Sequence, residues 1–214
     1  MMTLLIRLGI IATVLINLLN ITHAETQTPA TQTPQSENTQ KAVFAGGCFW
    51  CIESDFEKLD GVHEAVSGYI GGSKETANYK TVSYTETGHF EAVEVHYNPA
   101  KISYAELVEY FWRHIDPTDP NGQFCDKGSA YRSAIFYGND DEKKVVDASL
   151  IALTKSKPFK GDIVTTIAAA KPFYKAEQYH QNYYKKNPIR YRIYRSGCGR
   201  DKTVNALWKT NTPD

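Results

Sequence analysis

The residues with most to offer chemically lie in one stretch, Ala45-Gly46-Gly47-Cys48-Phe49-Trp50-Cys51-Ile52-Glu53. The apolar run Ala42-Val43-Phe44 before it reads as a buried strand, and Ile52, Phe56 and Leu59 after it share one helix face. Two glycines let the backbone turn sharply between the two elements. Cys48 is therefore expected at the first turn of a helix, where unpaired N–H groups and the positive dipole end favour a thiolate over a thiol. Cys51 falls at i+3, about 5–6 Å away at Cβ, and a modest shift brings such a pair to disulfide geometry at about 3.8 Å. That is dithiol redox chemistry. The two aromatic residues between the cysteines make a small apolar pocket for a substrate group, rather than a surface for docking another protein's disulfide.

A carboxylate is the second candidate. In Phe90-Glu91-Ala92-Val93-Glu94-Val95-His96-Tyr97, period-2 alternation puts Glu91 on the face of Val93, Val95 and Tyr97, and Glu94 and His96 on the wetter face. A buried carboxylate holds its proton near neutrality and suits a general acid. The competing reading places Glu91 at the strand end, reaching water or an arginine. Cys125 and Cys198 complete the cysteines. Four in an exported chain also allow two structural disulfides, whereas one C-x-x-C without a second pair or a spaced His pair fits tetrahedral zinc poorly.

The elements that must position these groups follow from pattern. Residues 62–72 read as a strand ending in a glycine pair, and Tyr79 to Tyr84 as a short irregular strand or loop. Ser103 with Glu106 makes a capping box for a largely buried helix through Trp112. Residues 114–128, rich in Pro, Asp and Gly, form a long loop of the kind that carries function. A strand is expected over residues 131–137, a helix capped by Asp140 or Asp141, a strand over 163–167, and a short Tyr-rich helix within 174–186. From Ile189 the tail shows no clear period until an amphipathic piece around Val204, Leu207 and Trp208. These elements predict an α+β fold: a two-layer sandwich with a ferredoxin-like mixed or antiparallel sheet and helices packed on it.

Several ordered motifs together resemble the A-type peptide methionine sulfoxide reductases. They are Gly47-Cys48-Phe49-Trp50 with Glu53, residues 67–72, Thr87-Gly88-His89-Phe90-Glu91-Ala92-Val93, Phe111-Trp112 with Asp116-Pro117-Thr118, Asp126 with Gly128, Tyr131-Arg132-Ser133, Pro172-Phe173-Tyr174 with Ala176-Glu177, and His180-Gln181. The resemblance runs collinearly from about Val43 to Pro188. It implies Cys48 as the nucleophile that attacks a sulfoxide sulfur and becomes a sulfenic acid, and Glu91 as the proton donor. It also implies Tyr69 and Tyr131 as phenols on the sulfoxide oxygen, Phe49 and Trp50 as the cage for the methyl group that selects one epimer, and Asp126 as acceptor for the substrate's backbone amide. Electrons come from thiols, so no metal or organic cofactor is implied. Substrates would be oxidised-methionine proteins and free methionine sulfoxide, with a thioredoxin-like electron donor.

The chain departs from that pattern at Cys51, where relatives carry Gly, at Cys125, where Asn is common, and at Ala130, where Gln is usual. The usual Gly-rich tail is reduced to Ser196-Gly197-Cys198-Gly199. Either Cys198 on a flexible tail attacks the Cys48 sulfenic acid, or Cys51 does so and Cys198 passes the disulfide outward. Cys198 is expected to be the essential participant, with Cys51 held facing away by a formed helix. Cys125 is either a bystander or a partner late in a relay, and a small buried residue is the favoured reading. The rival functions are a thioredoxin-like oxidoreductase working through Cys48 and Cys51, and a disulfide-stapled binding domain.

Charge and composition set the remaining bounds. Arg7, an apolar run over residues 8–19 and Thr22-His23-Ala24 make a secretory signal pattern, too short to span a bilayer. The polar residues 25–40 read as a disordered linker, and residues 41–214 as one catalytic domain with an irregular tail. Removing residues 1–24 takes one of the 24 Lys+Arg and none of the 24 Asp+Glu, leaving 23 against 24. No basic excess supports nucleic-acid binding or a stable membrane association after signal removal. Export to a periplasmic or extracellular space is expected.

Overall fold

Alternating apolar residues bury strand faces, and in the computed structural model, which describes residues 38–209, those strands build one sheet. The elements run β1 (Gln40–Gly46), α1 (Phe49–Phe56), β2 (Val62–Ile70), α2 (Tyr79–Tyr84), β3 (Phe90–Tyr97), α3 (Tyr104–Trp112), β4 (Gly122–Gln123), β5 (Asp126–Lys127), β6 (Ser133–Tyr137), α4 (Asp140–Ser156), β7 (Thr166–Ala169), β8 (Phe173–Lys175), α5 (Tyr183–Lys186), α6 (Pro188–Gly197) and α7 (Arg200–Trp208). Six strands pair in the order β7-β6-β1-β3-β2-β8, with β4 and β5 a separate hairpin. Only β6 and β7 run parallel in the six-stranded sheet. The β1-α1-β2-β3-α3-β6 unit with sheet order β6-β1-β3-β2 is the expected ferredoxin-like α+β arrangement, widened by one strand on each side.

β1 is buried on both faces, which explains its continuous apolar run. Phe44 points into the main core, stacked 4.8 Å from Phe56 of α1 and 5.1 Å from Phe111 of α3. Val43 and Ala45 join Ile70, Phe90, Ala92 and Phe136 in a smaller cluster on the opposite face. The strand–helix turn before α1 requires its glycines. Gly47 has φ +81°, and a Cβ there would lie 2.6 Å from Gln123 Cβ. The capping box of Ser103 and Glu106 is formed.

Several elements differ from the sequence pattern. Residues 79–84 form helix α2, because the Asn78 side chain accepts from Thr81 N at 3.0 Å and caps it. Asn139, rather than Asp140 or Asp141, caps α4, accepting from Asp141 N and Glu142 N. Tyr131 ends a 3-10 turn, Ser129–Tyr131, and β6 begins at Ser133. The strand expected over 163–167 lies at Thr166–Ala169. Within 174–186 the first residues extend β8 and only Tyr183–Lys186 are helical. The tail is not irregular: α6 and α7 follow Pro188, which takes the first helical position as proline prefers. The inward face of α6 carries Tyr191, Tyr194 and Arg195 rather than aliphatic residues, so apolar counting misses its period, whereas α7 coincides with the amphipathic piece expected around Val204, Leu207 and Trp208. The signal pattern of residues 1–24 and the linker up to residue 37 lie outside the described residues, whereas Gln40 already pairs with Tyr97.

Candidate active site

The site is built where β1 hands over to α1. Cys48 is the N-cap of α1 and is 5% exposed. Its carbonyl accepts from Cys51 N at 3.0 Å, while its side chain makes no capping hydrogen bond. The first free helix N–H, that of Phe49, donates instead to Glu91 Oε2 at 3.2 Å. Glu91 therefore faces the core side of β3, as the alternation predicts, and sits at the positive end of α1 beside Cys48. Burial pushes its carboxyl up to about 8 against the pull of the Phe49 N–H. It carries a proton at neutral pH.

Cys48 corrects the expectation of a ready thiolate. Burial pushes its thiol up, Cys51 and Glu91 add to that, and the Tyr194 hydroxyl pulls it back. With the N–H of α1 spent on Glu91, burial wins, and the sulfur waits as a thiol. Cys51 is not turned away: it packs with Cys48 and Tyr191 in one buried cluster. Its thiol is drawn down chiefly by Cys48, then by the guanidinium groups of Arg200 and Arg195.

Aromatic residues wall the cavity, whose volume is about 240 Å³ and whose lining comprises Cys48, Phe49, Trp50, Tyr79, Glu91, Asp126, Tyr131 and Tyr194. Trp50 is fixed on three sides. Its Nε1 donates to His180 Nδ1 at 3.0 Å, Tyr183 stacks on it at 3.7 Å and 8°, and Tyr194 meets it edge-on at 5.7 Å. His180 must be neutral to accept there, and burial holds it down at about 4. Phe49 is 1% exposed and lies 4.8 Å from the His180 ring. Glu53, behind this wall, accepts from Ser67 Oγ at 3.1 Å and Asn182 N at 2.7 Å, tying α1 to β2 and to the start of α5.

Of the residues singled out in sequence, Cys48, Phe49, Trp50, Glu91, Asp126 and Tyr131 come together around the cavity. Burial keeps the Tyr131 phenol well above its usual range, so it remains a donor. Tyr69 is fully buried, does not line the cavity, and donates its hydroxyl to Glu177 Oε2 at 2.9 Å. Tyr79 lines the cavity instead, its backbone N–H donating to Glu177 Oε1 at 2.9 Å. Tyr79, Tyr194 and His180 were missed as site residues. Asn78 three residues before Thr81 was the available signal for the first, and nothing local marks Tyr194.

The cysteines divide into two classes. Cys48 and Cys51 are free and buried, whereas Cys125 and Cys198 form a disulfide, so the chain is not stapled by two bridges. Cys125 is exposed rather than a small buried residue, because it lies at the turn of the β4–β5 hairpin. Among the described residues, Cys125, Asp126 and Cys198 also have metal-ligand proximity, but the two sulfurs are spent on each other.

The sequence profile of the family described as "Peptide methionine sulfoxide reductase" matches residues 40–212. Peptide methionine sulfoxide reductase MsrA of Bacillus subtilis is 49% identical over 173 residues, covering 81% of this chain and 98% of the relative. The MsrA/MsrB protein of Vibrio cholerae is 44% identical over 180 residues, covering 84% of this chain and 48% of that one. Among solved structures, reduced Mxr1 from Saccharomyces cerevisiae superimposes with TM-score 0.66 at 34% identity, over 72% of this chain and 89% of its own. Methionine sulfoxide reductase A of Corynebacterium diphtheriae gives 0.63 at 30%, over 73% and 78%.

Proposed function

The chain belongs to the peptide methionine sulfoxide reductase family, and we propose that its reaction begins at Cys48 and takes its proton from Glu91. It is an oxidoreductase that reduces methionine sulfoxide at the expense of thiols. One observation carries the residue assignment: Cys48 and the buried Glu91 carboxyl meet at the α1 N-terminus inside one aromatic-walled cavity.

The Cys48 thiol first releases its proton to solvent, and its sulfur then attacks the sulfoxide sulfur of the S-epimer while Glu91 gives its proton to the oxygen. Oxygen passes to Cys48 as a sulfenic acid, methionine leaves, and two electrons have moved from the cysteine to the substrate. Phe49 and Trp50 hold the methyl group, Tyr131 and Tyr79 offer phenol donors for the oxygen, and Asp126 accepts from the substrate amide. Cys51, already packed against Cys48, then attacks the sulfenic acid, forming the Cys48–Cys51 disulfide and releasing water. Exchange with the Cys125/Cys198 dithiol carries that disulfide to the surface, where an external dithiol of the thioredoxin class reduces it. Exposure of Cys125 supports this last step.

Consumption of a methyl sulfoxide with dithiothreitol tests the first half. Wild type turns over and Cys48→Ser does not while keeping its fold; a wild type inert toward every methyl sulfoxide overturns the reading. Mass mapping after one turnover without reductant tests the second. A Cys48–Cys51 bond in Cys198→Ser supports resolution by Cys51, and a lasting free sulfenic acid in that variant refutes it. Export is proposed on the pattern of Arg7, residues 8–19 and Ala24; a mature N-terminus after Ala24 in the exported fraction is the expected result, and an intact, unexported chain the contrary one.

A further inference from the structure

Tyr194 of α6 has one hydroxyl proton and shares its cavity with two acceptors, Asp126 and Cys48. It donates to Asp126 Oδ2 at 2.6 Å, a short charge-assisted bond. It also interacts with the Cys48 thiol, and all three residues line one cavity. A phenol has a single O–H, so it serves one acceptor fully at a time. Burial, Cys48 and Asp126 all press the phenol to keep that proton. What can change is where the proton points.

Two ties hold α6 against the hairpin at this place. Tyr194 bonds Asp126, and Cys198, one helical turn further on, is disulfide-bonded to Cys125, the residue before Asp126. The ring also rests edge-on against Trp50. The phenol is thus held over the cavity, while its hydroxyl remains free to turn between neighbours.

We propose that Tyr194 is a catalytic residue of this chain: when a substrate amide N–H engages Asp126, the Tyr194 hydroxyl turns from that carboxylate to the Cys48 sulfur and stabilises it as the attacking thiolate. This rests on the reading of Asp126 as acceptor of the substrate amide. The titratable groups around the sulfur are Cys51 of α1, packed against it, and Tyr79 of α2, Glu91 of β3, Asp126 of β5, Tyr131 and Tyr194, which line the same cavity. Cys51 and Glu91 oppose the thiolate, whereas Tyr194 favours it. The proton released by Cys48 goes to solvent, Tyr194 keeps its own, and Glu91 still supplies the one that goes to the sulfoxide oxygen. No electron moves until the sulfur attacks.

The test is single-turnover oxidation of Cys48 at saturating substrate without reductant, followed by mass spectrometry. One substrate is N-acetyl-methionine sulfoxide N-methylamide, and the other is dimethyl sulfoxide, which has no amide. Wild type at pH 7 is expected to react with the amide substrate at least about tenfold faster at saturation, the effect of about one unit in the ionisation of Cys48. In Tyr194→Phe that advantage collapses toward one, with KM for the amide substrate moving less than about threefold. Asp126→Ala leaves the hydroxyl on Cys48 permanently, so dimethyl sulfoxide should react several-fold faster than in wild type. An advantage retained in Tyr194→Phe, an equal loss with both substrates, or no gain in Asp126→Ala overturns the proposal. A wild type that oxidises Cys48 with neither substrate instead refutes the reductase reading itself.

Discussion

The two halves of this site are made of different materials. From β1 to β3 the reacting groups are presented by backbone: Cys48 caps α1, and Glu91 takes the first α1 N–H from the middle of the sheet. From residue 176 to Trp208 the site is closed by side chains, including His180 and Tyr183 on Trp50, Tyr194 on Asp126, and Arg200 under β1. The groups that break and form bonds sit on the rigid half. Of the groups that tune and regenerate them, His180, Tyr194 and Cys198 sit on the wrap-around half, while Cys51 shares α1 with Cys48.

The largest expected effects therefore belong to the first half. Cys48→Ser should abolish turnover and leave the unfolding free energy from urea titration within about 0.5 kcal/mol of wild type. Glu91→Gln should slow turnover about 10²-fold or more with the fold intact. Wild-type rate should fall as pH rises through about 8, where Glu91 loses its proton, and the variant should lack that limb. Stability follows the same group. Glu91 at about 8 and Glu53 at about 7 both hold protons the unfolded chain has lost. Their shares of stability are fully present below the unfolded value near 4.5 and decline as pH rises to about 8. A steeper fall of the urea midpoint over that window in wild type than in Glu91→Gln is the check. An unchanged rate profile in the variant would move the proton donor to the other half.

Legibility in the sequence divides along the same line. Cys48, its helix and the inward face of Glu91 follow from period 2 and period 3.6, because the first half buries aliphatic and aromatic residues in regular order. Helix α6 was hidden because its inward face uses Tyr191 and Tyr194, residues that read as polar, whereas α7 coincides with the amphipathic piece around Val204, Leu207 and Trp208. The pairing of Cys125 with Cys198 depends on contact across 73 residues of chain, which no local pattern reports. Tyr69 shows the limit of alternation: the strand was right and its tyrosine faces inward, but the hydroxyl belongs to Glu177 and not to the cavity.

An intermediate effect tests whether the second half is integral. Arg200 is 2% exposed and donates to Gly46 O at 3.0 Å and His114 O at 2.9 Å, with its guanidinium over Phe124. Arg200→Met keeps much of the stem but removes the donors to the buried Gly46 carbonyl and the half-buried His114 carbonyl, which should cost about 2 kcal/mol. Urea unfolding should show a lower midpoint with an unchanged slope. A cost below about 0.5 kcal/mol would make the wrap a loose appendage.

The smallest effect discriminates between two phenols. Tyr131 lines the cavity and Tyr69 does not. Tyr131→Phe removes a donor that can strengthen onto the sulfoxide oxygen as charge develops, so turnover should drop about tenfold with little change in KM. Tyr69→Phe removes a hydrogen bond to Glu177, which still accepts from Tyr79 N at 2.9 Å. The loss should appear as about 1 kcal/mol of stability, with turnover per folded molecule within about twofold. Measuring both variants by single-turnover rate and by urea midpoint separates the cases. If Tyr69→Phe slows the chemical step as much as Tyr131→Phe, Glu177 transmits the sheet's phenol to the cavity through Tyr79, and the boundary between the two halves lies further into the C-terminal wrap than the cavity lining places it.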